Sequence, residues 1–286
     1  MLFSLMKNLI LLLSFIISLK SISQVNEFGF FSGAGYYIGD LNKSHFSQQD
    51  LSFGLVYKTD FPNERMSLRF HLMYNKLKAN DSKSGIKSQI YRNLEFKSDV
   101  FEFGPIIEID FFNFHPGQNH TDQPDFGSPY FFAGINFMRM NPKGKLDGDW
   151  VKLQPLGTEG QGTNLLRNDN NKIVEKYSRN QIVIPFGIGV KMNITHHLSF
   201  SLEYGMRKTF TDYFDDVSGI YPNLAELAAI NPQSAQMSDR SGYPQGLNDS
   251  SFGLQRGDAS NKDWYALSGI ILTYEFFKDV VCPKWK

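Results

Sequence analysis

Residues 198–219 read LSFSLEYGMRKTFTDYFDDVSG, and the first half of that stretch alternates without a break. Leu198, Phe200, Leu202, Tyr204 and Met206 take one set of positions, and Ser199, Ser201, Glu203, Gly205 and Arg207 the other. Successive side chains of an extended chain point to opposite faces, so a period of two predicts a strand. Glu203 and Arg207 share the polar face and are expected to join one polar network. A soluble sandwich would turn the apolar face to a core, whereas a transmembrane barrel turns it to lipid and keeps charges in its lumen. Beyond Arg207 the alternation stops, and Asp212, Asp215, Asp216 and Ser218 gather in an acidic loop.

The same period recurs on either side. Phe28 to Ile38 sets Phe28, Phe30, Ser32, Ala34, Tyr36 and Ile38 against a face carrying Gly29, Gly33 and Gly35, where glycine makes room in a narrow lumen. Further apolar faces are Leu51, Phe53, Leu55 and Tyr57, then Leu68, Phe70, Leu72 and Tyr74, with His71 on the polar side of the latter as a lumen residue. The next strand places Phe101, Phe103, Ile107, Ile109 and Phe111 outward. Leu94 and Phe96 have the opposite parity, which predicts a bulge near Val100 or a later start. Phe131, Ala133, Ile135 and Phe137 form another face. Ile182 to Ile194 alternates opposite Gln181, Val183, Gly187, Gly189, Lys191 and Asn193, and Trp264 to Phe277 closes the series. Asn223 to Ile230 reads as a short helix.

Composition agrees with strands. The 286 residues carry 29 basic and 29 acidic side chains, so no basic excess points to nucleic acid. Aromatics reach 15%, with 26 Phe, 13 Tyr and 24 Gly, a mixture suited to β structure with tight turns. Residues 1–23 read as a signal peptide: Lys7 precedes the apolar run Leu9 to Leu19, and Ser21-Ile22-Ser23 offers a small-x-small cleavage site before Gln24. The apolar run is too short to span a bilayer as a helix. Residues 24–277 are then the barrel and 278–286 a periplasmic tail with Cys282, the single cysteine, which excludes an internal disulfide.

About eight strands is the smallest size of the outer-membrane class. Connection lengths support the all-β reading of an eight-stranded antiparallel transmembrane barrel: 60–64 and 195–197 are short, 112–128 is intermediate, and 39–50, 79–91, 141–180 and 220–263 are long. Outer-membrane barrels pair short periplasmic turns with long external loops, so both termini are expected in the periplasm. A sandwich gives no reason for that asymmetry, nor for Lys191, Glu203 and Arg207 to share a buried face. A barrel of this size is filled by side chains, which argues against a porin.

No catalytic constellation stands out. Asp212, Asp215 and Asp216 with Ser218 offer oxygen ligands to a hard cation, but their spacing is not that of an EF-hand, and a solvated external loop is the plainer reading. Residues 154–162, QPLGTEGQG, lack the Lys-Ser/Thr of a phosphate-binding loop. His196 and His197 would point apart. No cofactor is expected, and an adhesin or a lipid-modifying enzyme on a stand-alone barrel is the alternative to a non-enzymatic role.

Several stretches exceed what barrel physics dictates: YYIGDL at 36–41, YFFAGI at 130–135, LQPLGTEGQG at 153–162, IPFGIG at 184–189, RKTFTDYFDDVSG at 207–219, and the pair Cys282-Pro283. Together they resemble the PorG-type family, outer-membrane barrels of the type IX secretion system in Bacteroidota. Residues 221–263 match no part of that pattern. The resemblance implies a non-enzymatic barrel that associates with a periplasmic ring of PorK-type lipoprotein and PorN-type subunit, and supports protein export and, in some members, gliding motility. With that family in view, Cys282 and Pro283 become partner-contact candidates, Cys282 either through an intermolecular disulfide or as an idle thiol, a small apolar residue beside Val280 and Val281 in a docked tail. Gln154, Pro155, Gly157, Glu159, Gly162, Arg207, Asp212, Asp215 and Asp216 become loop-organising candidates, expected to hold the long loops by internal bonds, the alternative being contact with other outer-membrane translocon components. Arg207 and Lys208 are expected to bond the aspartates of the following turn.

Overall fold

The computed structural model describes residues 25–63, 65–116, 127–165, 173–241 and 251–276. The leader and the tail with Cys282 and Pro283 lie outside the described residues. Eleven strands form one antiparallel sheet: β1 (Asn26–Ile38), β2 (Asp50–Asp60), β3 (Met66–Asn80), β4 (Glu95–Asp110), β5 (Gly127–Gly134), β6 (Asn136–Arg139), β7 (Pro142–Leu146), β8 (Asp149–Lys152), β9 (Asn180–Asn193), β10 (Leu198–Thr209) and β11 (Trp264–Phe276). β1 to β4 pair in sequence order, β5 and β6 each lie between β4 and β9, β9 to β11 pair in sequence order, and β1 pairs β11 from Asn26↔Phe276 to Ile38↔Trp264, so the sheet closes on itself. β5, β6 and β7 keep one register along β4, with Ile106 opposite Gly134, Phe103 opposite Phe137 and Lys97 opposite Lys143. They are one stave with interruptions, and the ring has eight staves.

The alternation seen in the sequence separates the two faces of the wall. Phe30, Leu55, Leu72, Phe103, Ile107, Phe131, Ile188, Leu202 and Leu272 stand exposed on the outside, an apolar belt with no protein to cover it. Such a belt is the surface that lipid covers in a spanning barrel. Inside, Lys58, Arg69, Glu102, Glu108, Lys191, Glu203 and Arg207 are all buried. The lumen is filled by side chains, and glycines let large rings cross it. A Cβ added at Gly205 would stand 2.4 Å from Phe132 Cζ, and one at Gly269 2.6 Å from Phe31 Cζ. The first and last described residues, Val25 and Phe276, lie at the same end of the barrel as the short connections after Asp60 and Asn193; the long connections share the other.

Three expectations need correction. β4 runs unbroken from Glu95, with no bulge at Val100. Leu94 and Phe96 face inward because the wall outruns the polar lumen there, and they join an apolar core with Tyr37, Leu77, Val100 and Phe214. Tyr36 is not on the lipid face: its hydroxyl lies 2.7 Å from that of Tyr204 and 3.1 Å from His45 Nδ1, beneath the 39–49 connection folded back over the outer wall. The long connections are also more ordered than their polarity suggests. Residues 141–180 contain the β7–β8 hairpin, turned by Asp147 and Gly148 at φ 49° and 96°, and a helical turn at Leu153–Leu156. Residues 220–263 carry the helix Leu224–Ile230, capped by Asn223, and a second helix, Pro232–Ser238.

Candidate functional site

Two polar clusters lie along the barrel axis, one in the lumen and one in the cap made by the long connections. In the lumen, Glu108 is held by Arg69 at 3.0 Å, Lys58 at 3.2 Å and Lys191 at 3.3 Å, and Lys191 also meets Asp110 at 2.8 Å. Arg69 reaches on to Glu203 at 2.5 Å, which also accepts from the Tyr130 hydroxyl at 3.1 Å. Nearer the cap, Glu102 accepts from Tyr265 at 2.7 Å and Asn136 at 2.6 Å, and stands 3.2 Å from His71 and 3.8 Å from Arg207. Lys191 and Glu203 are therefore joined through Glu108 and Arg69, while Arg207 shares the lumen but not their network. Glu203 bonds Arg69 while Arg207 faces Glu102, because each finds its counter-charge across the barrel rather than along its own strand.

The cap cluster is built on Glu159. Its carboxylate accepts the backbone N–H of Ser218 at 2.8 Å and of Gly219 at 3.1 Å, and the Arg256 guanidinium donates to it at 2.9 Å. Arg256 also donates to the carbonyls of Asp216 at 2.7 Å and Ser238 at 3.0 Å. Burial opposes its charge, but the Glu159 carboxylate and Asp216 outweigh that and raise its pKa. Asp216, at φ 69°, accepts from Tyr177 at 2.6 Å and Thr158 at 2.5 Å. Burial raises the Asp216 carboxyl to about 6, against the lowering pull of Arg256 and these hydroxyls.

Beside it, the Tyr37 hydroxyl lies 2.6 Å from Asp215 Oδ2 and 2.7 Å from Asp263 Oδ1, and accepts the Asp40 N–H at 2.9 Å. One phenolic proton serves only one of the two carboxylates, so the other contact needs a carboxyl that keeps its own proton. Burial and mutual repulsion raise Asp215 well above the usual range, and burial does the same for Asp263. Asp212, also buried, is raised to about 7 by desolvation.

The acidic residues of 212–216 are thus buried rather than solvated, since the 153–165 and 251–263 segments cover them. They face separate partners, and among the described residues no group of three or more His, Cys, Asp or Glu is placed to hold a metal ion. Arg207 and Lys208 do not bond them: Arg207 points into the lumen, and Lys208 is outside, 5.7 Å from the Trp264 ring. The cation that reaches Glu159 and the Asp216 carbonyl is Arg256, in the segment that matched no pattern. An arginine within a long polar loop carries no local signal of its partner.

The other loop candidates shape the 153–162 segment itself. Gln154 donates to the Tyr177 carbonyl at 3.1 Å, and the Pro155 carbonyl accepts from Lys176 at 2.8 Å. Gly157 and Gly162 take φ of 68° and 73°, values at which a side chain would be strained.

Among solved structures, the chain is similar to Ail of Yersinia pestis in complex with sucrose octasulfate, with a TM-score of 0.38 and 9% identity over 88% of this chain and 97% of that one. It is likewise similar to Neisserial surface protein A (NspA), at 0.38 and 11% over 88% and 96%, and to OprG of Pseudomonas aeruginosa, at 0.35 and 10% over 89% and 96%. No curated protein matches the sequence. Residues 6–150 match the profile described as Domain of unknown function (DUF6089), and the chain belongs to that family.

Proposed function

We propose that this chain is a non-enzymatic outer-membrane barrel of the type IX secretion machinery, PorG-like, with both termini in the periplasm, and that it anchors or organises a ring of PorK-type lipoprotein and PorN-type subunit. The observation that carries the reading is the meeting of the two loop stretches on which the resemblance rests. Glu159 from 153–162 binds the backbone of Ser218 and Gly219 from 207–219, so stretches far apart in sequence serve one buried cluster. A lumen closed by side chains supports a scaffold over a solute channel.

A periplasmic partner reaches only the end that holds the termini, namely the turns 60–64, 112–128 and 195–197 and the tail. Cys282 is the position there with distinctive chemistry, since two thiols in an oxidising compartment lock two proteins covalently. The test is a mild-detergent pull-down of the tagged protein from outer membranes, run with and without reductant. A lipoprotein partner that shifts with this chain only without reductant supports the ring and the Cys282 link. A partner without the shift discards the link, and no periplasmic partner discards the ring. Deletion should block secretion and leave the lipid profile intact; the reverse result indicates a lipid-modifying enzyme.

A further inference from the structure

The outer wall changes character at the long-loop end of the staves β3 to β9. Along β6 the outward position after Phe137 is Arg139, which stands opposite Phe101 of β4 and Asn180 of β9. Arg139, Lys152 and Arg179 line one groove of about 460 Å³ together with Tyr74, Asp99 and Phe101. Asp99 is already engaged, accepting from the Tyr74 hydroxyl at 2.8 Å and Lys143 Nζ at 2.7 Å. Among the described residues neither Arg139 nor Lys152 has an acidic partner, and Arg179 donates only to Asn141 Oδ1 at 3.3 Å.

Directly beside this basic groove lies an apolar one of about 640 Å³, lined by Ile135, Phe137, Ile182, Ile184 and Phe210. Phe137 and Arg139 are consecutive outward positions, so the two grooves meet along β6. On β10 the apolar run through Met206 leads instead to the single Lys208, whose Nζ lies 5.7 Å from the Trp264 ring.

We propose that Arg139, Lys152 and Arg179 seat the phosphate of a phosphorylated outer-leaflet glycolipid, whose acyl chains occupy the groove over Phe137, Ile182 and Phe210. The inference rests on the reading that the barrel spans an outer membrane, and not on its role in secretion. Three cations with no acidic partner among the described residues, beside one groove, suit a dianionic phosphate, and guanidinium forks bind phosphate oxygens in pairs. The site lies where wall meets water, so the headgroup keeps its hydration on one side while the chains keep the belt covered.

The experiment uses the full-length protein, folded as judged by heat-modifiable migration and floated in vesicles of outer-membrane lipid. In detergent it is mixed with diphosphoryl lipid A, dephosphorylated lipid A or phosphatidylglycerol, and retention is read by native mass spectrometry. Diphosphoryl lipid A should be retained at least about tenfold more than the dephosphorylated form, the loss of one to two charge-assisted bonds. The variant R139Q/K152Q/R179Q should lose that preference with unchanged migration, and K87Q, an exposed lysine elsewhere on the long-loop end, should keep it. Equal retention of the two lipid A forms, or a preference that survives in the triple variant, overturns the proposal. Equal retention of phosphatidylglycerol overturns the glycolipid assignment. Failure of the native protein to float with vesicles instead overturns the spanning reading beneath it.

Discussion

Replacing Arg256 by Gln isolates what holds the cap together. Arg256 is 3% exposed, and its guanidinium serves Glu159, the Asp216 carbonyl and the Ser238 carbonyl at once. Removing one partner of a buried ion pair costs roughly 3–5 kcal/mol, mostly because the remaining charge is left uncompensated. Glu159 would then lose the Arg256 counter-charge while still accepting from the N–H groups of Ser218 and Gly219. Local opening of the cap should rise by about a hundred- to several-thousand-fold. Amide exchange of Ser218 and Gly219, measured on the full-length protein in detergent, reads that opening directly. The β1–β11 and β10–β11 ladders lie in the wall and should keep their protection. Arg240→Gln is the control, because that arginine is partly exposed, 3.9 Å from Glu95, and a pair of this kind contributes at most about 1 kcal/mol. Unchanged exchange at Ser218 and Gly219 in the Arg256 variant would refute the reasoning. Simultaneous collapse of wall protection would refute the separation of cap from barrel.

Other perturbations have equally definite signs. Asp212 at about 7 and Asp216 at about 6, with Asp215 and Asp263 also raised well above the usual carboxylate range by burial, mean that the closed cap binds protons that an open cap releases. Its stability is therefore greatest below the open-state value of about 4 and declines as pH rises through the folded values. Proteolysis of the cap should be faster at pH 8 than at pH 5, with a shallower slope for Asp263→Asn; a rate that falls with pH contradicts the assignment. Glu108→Gln deprives Lys58, Arg69 and Lys191 of a shared counter-charge and should lower the temperature of heat-modified migration. The same variant should pass no ion current in planar bilayers, because the rest of the lumen stays filled. Gly205→Val drives a side chain into Phe132 and should cost about 1–3 kcal/mol or more, with folded yield partly restored by adding Phe132→Ala.

The wall was readable in the sequence because lipid and lumen impose opposite demands on alternate residues. Met192 and Lys191 are assigned to opposite faces by parity alone, and the same rule recovers every stave. It fails at Leu94 and Phe96, where apolar side chains face inward. Past the belt the interior is an apolar core rather than a polar lumen, so parity no longer reports which face is wet. The cap was only half legible. The glycines of 157–162 and the acids of 212–216 stood out as unusual, but their burial depends on segments that meet only in three dimensions. Arg256 and Asp263 contribute decisive groups from a stretch whose composition gives no sign of it. Tyr37 was similarly hidden: an aromatic on the lumen face of β1 looks like filler until two carboxyls are found against its hydroxyl.

That hydroxyl stands beside the place where the first and last staves of the barrel join. Tyr37 pairs with Tyr265 across the β1–β11 junction, Asp263 just before β11 touches the Tyr37 hydroxyl, and Asp258 donates its N–H to Asp40 just after β1 at 2.9 Å. Loops from the beginning, middle and end of the chain must all have crossed to the same side before these contacts can form. The cap is therefore a latch on the seam, and it can engage only after the last stave has docked on the first. During biogenesis, acquisition of protease resistance by the cap would time the final closure of the cylinder, separately from insertion of the earlier hairpins. A chain stalled with its seam open would have its apolar belt in lipid and its latch undone.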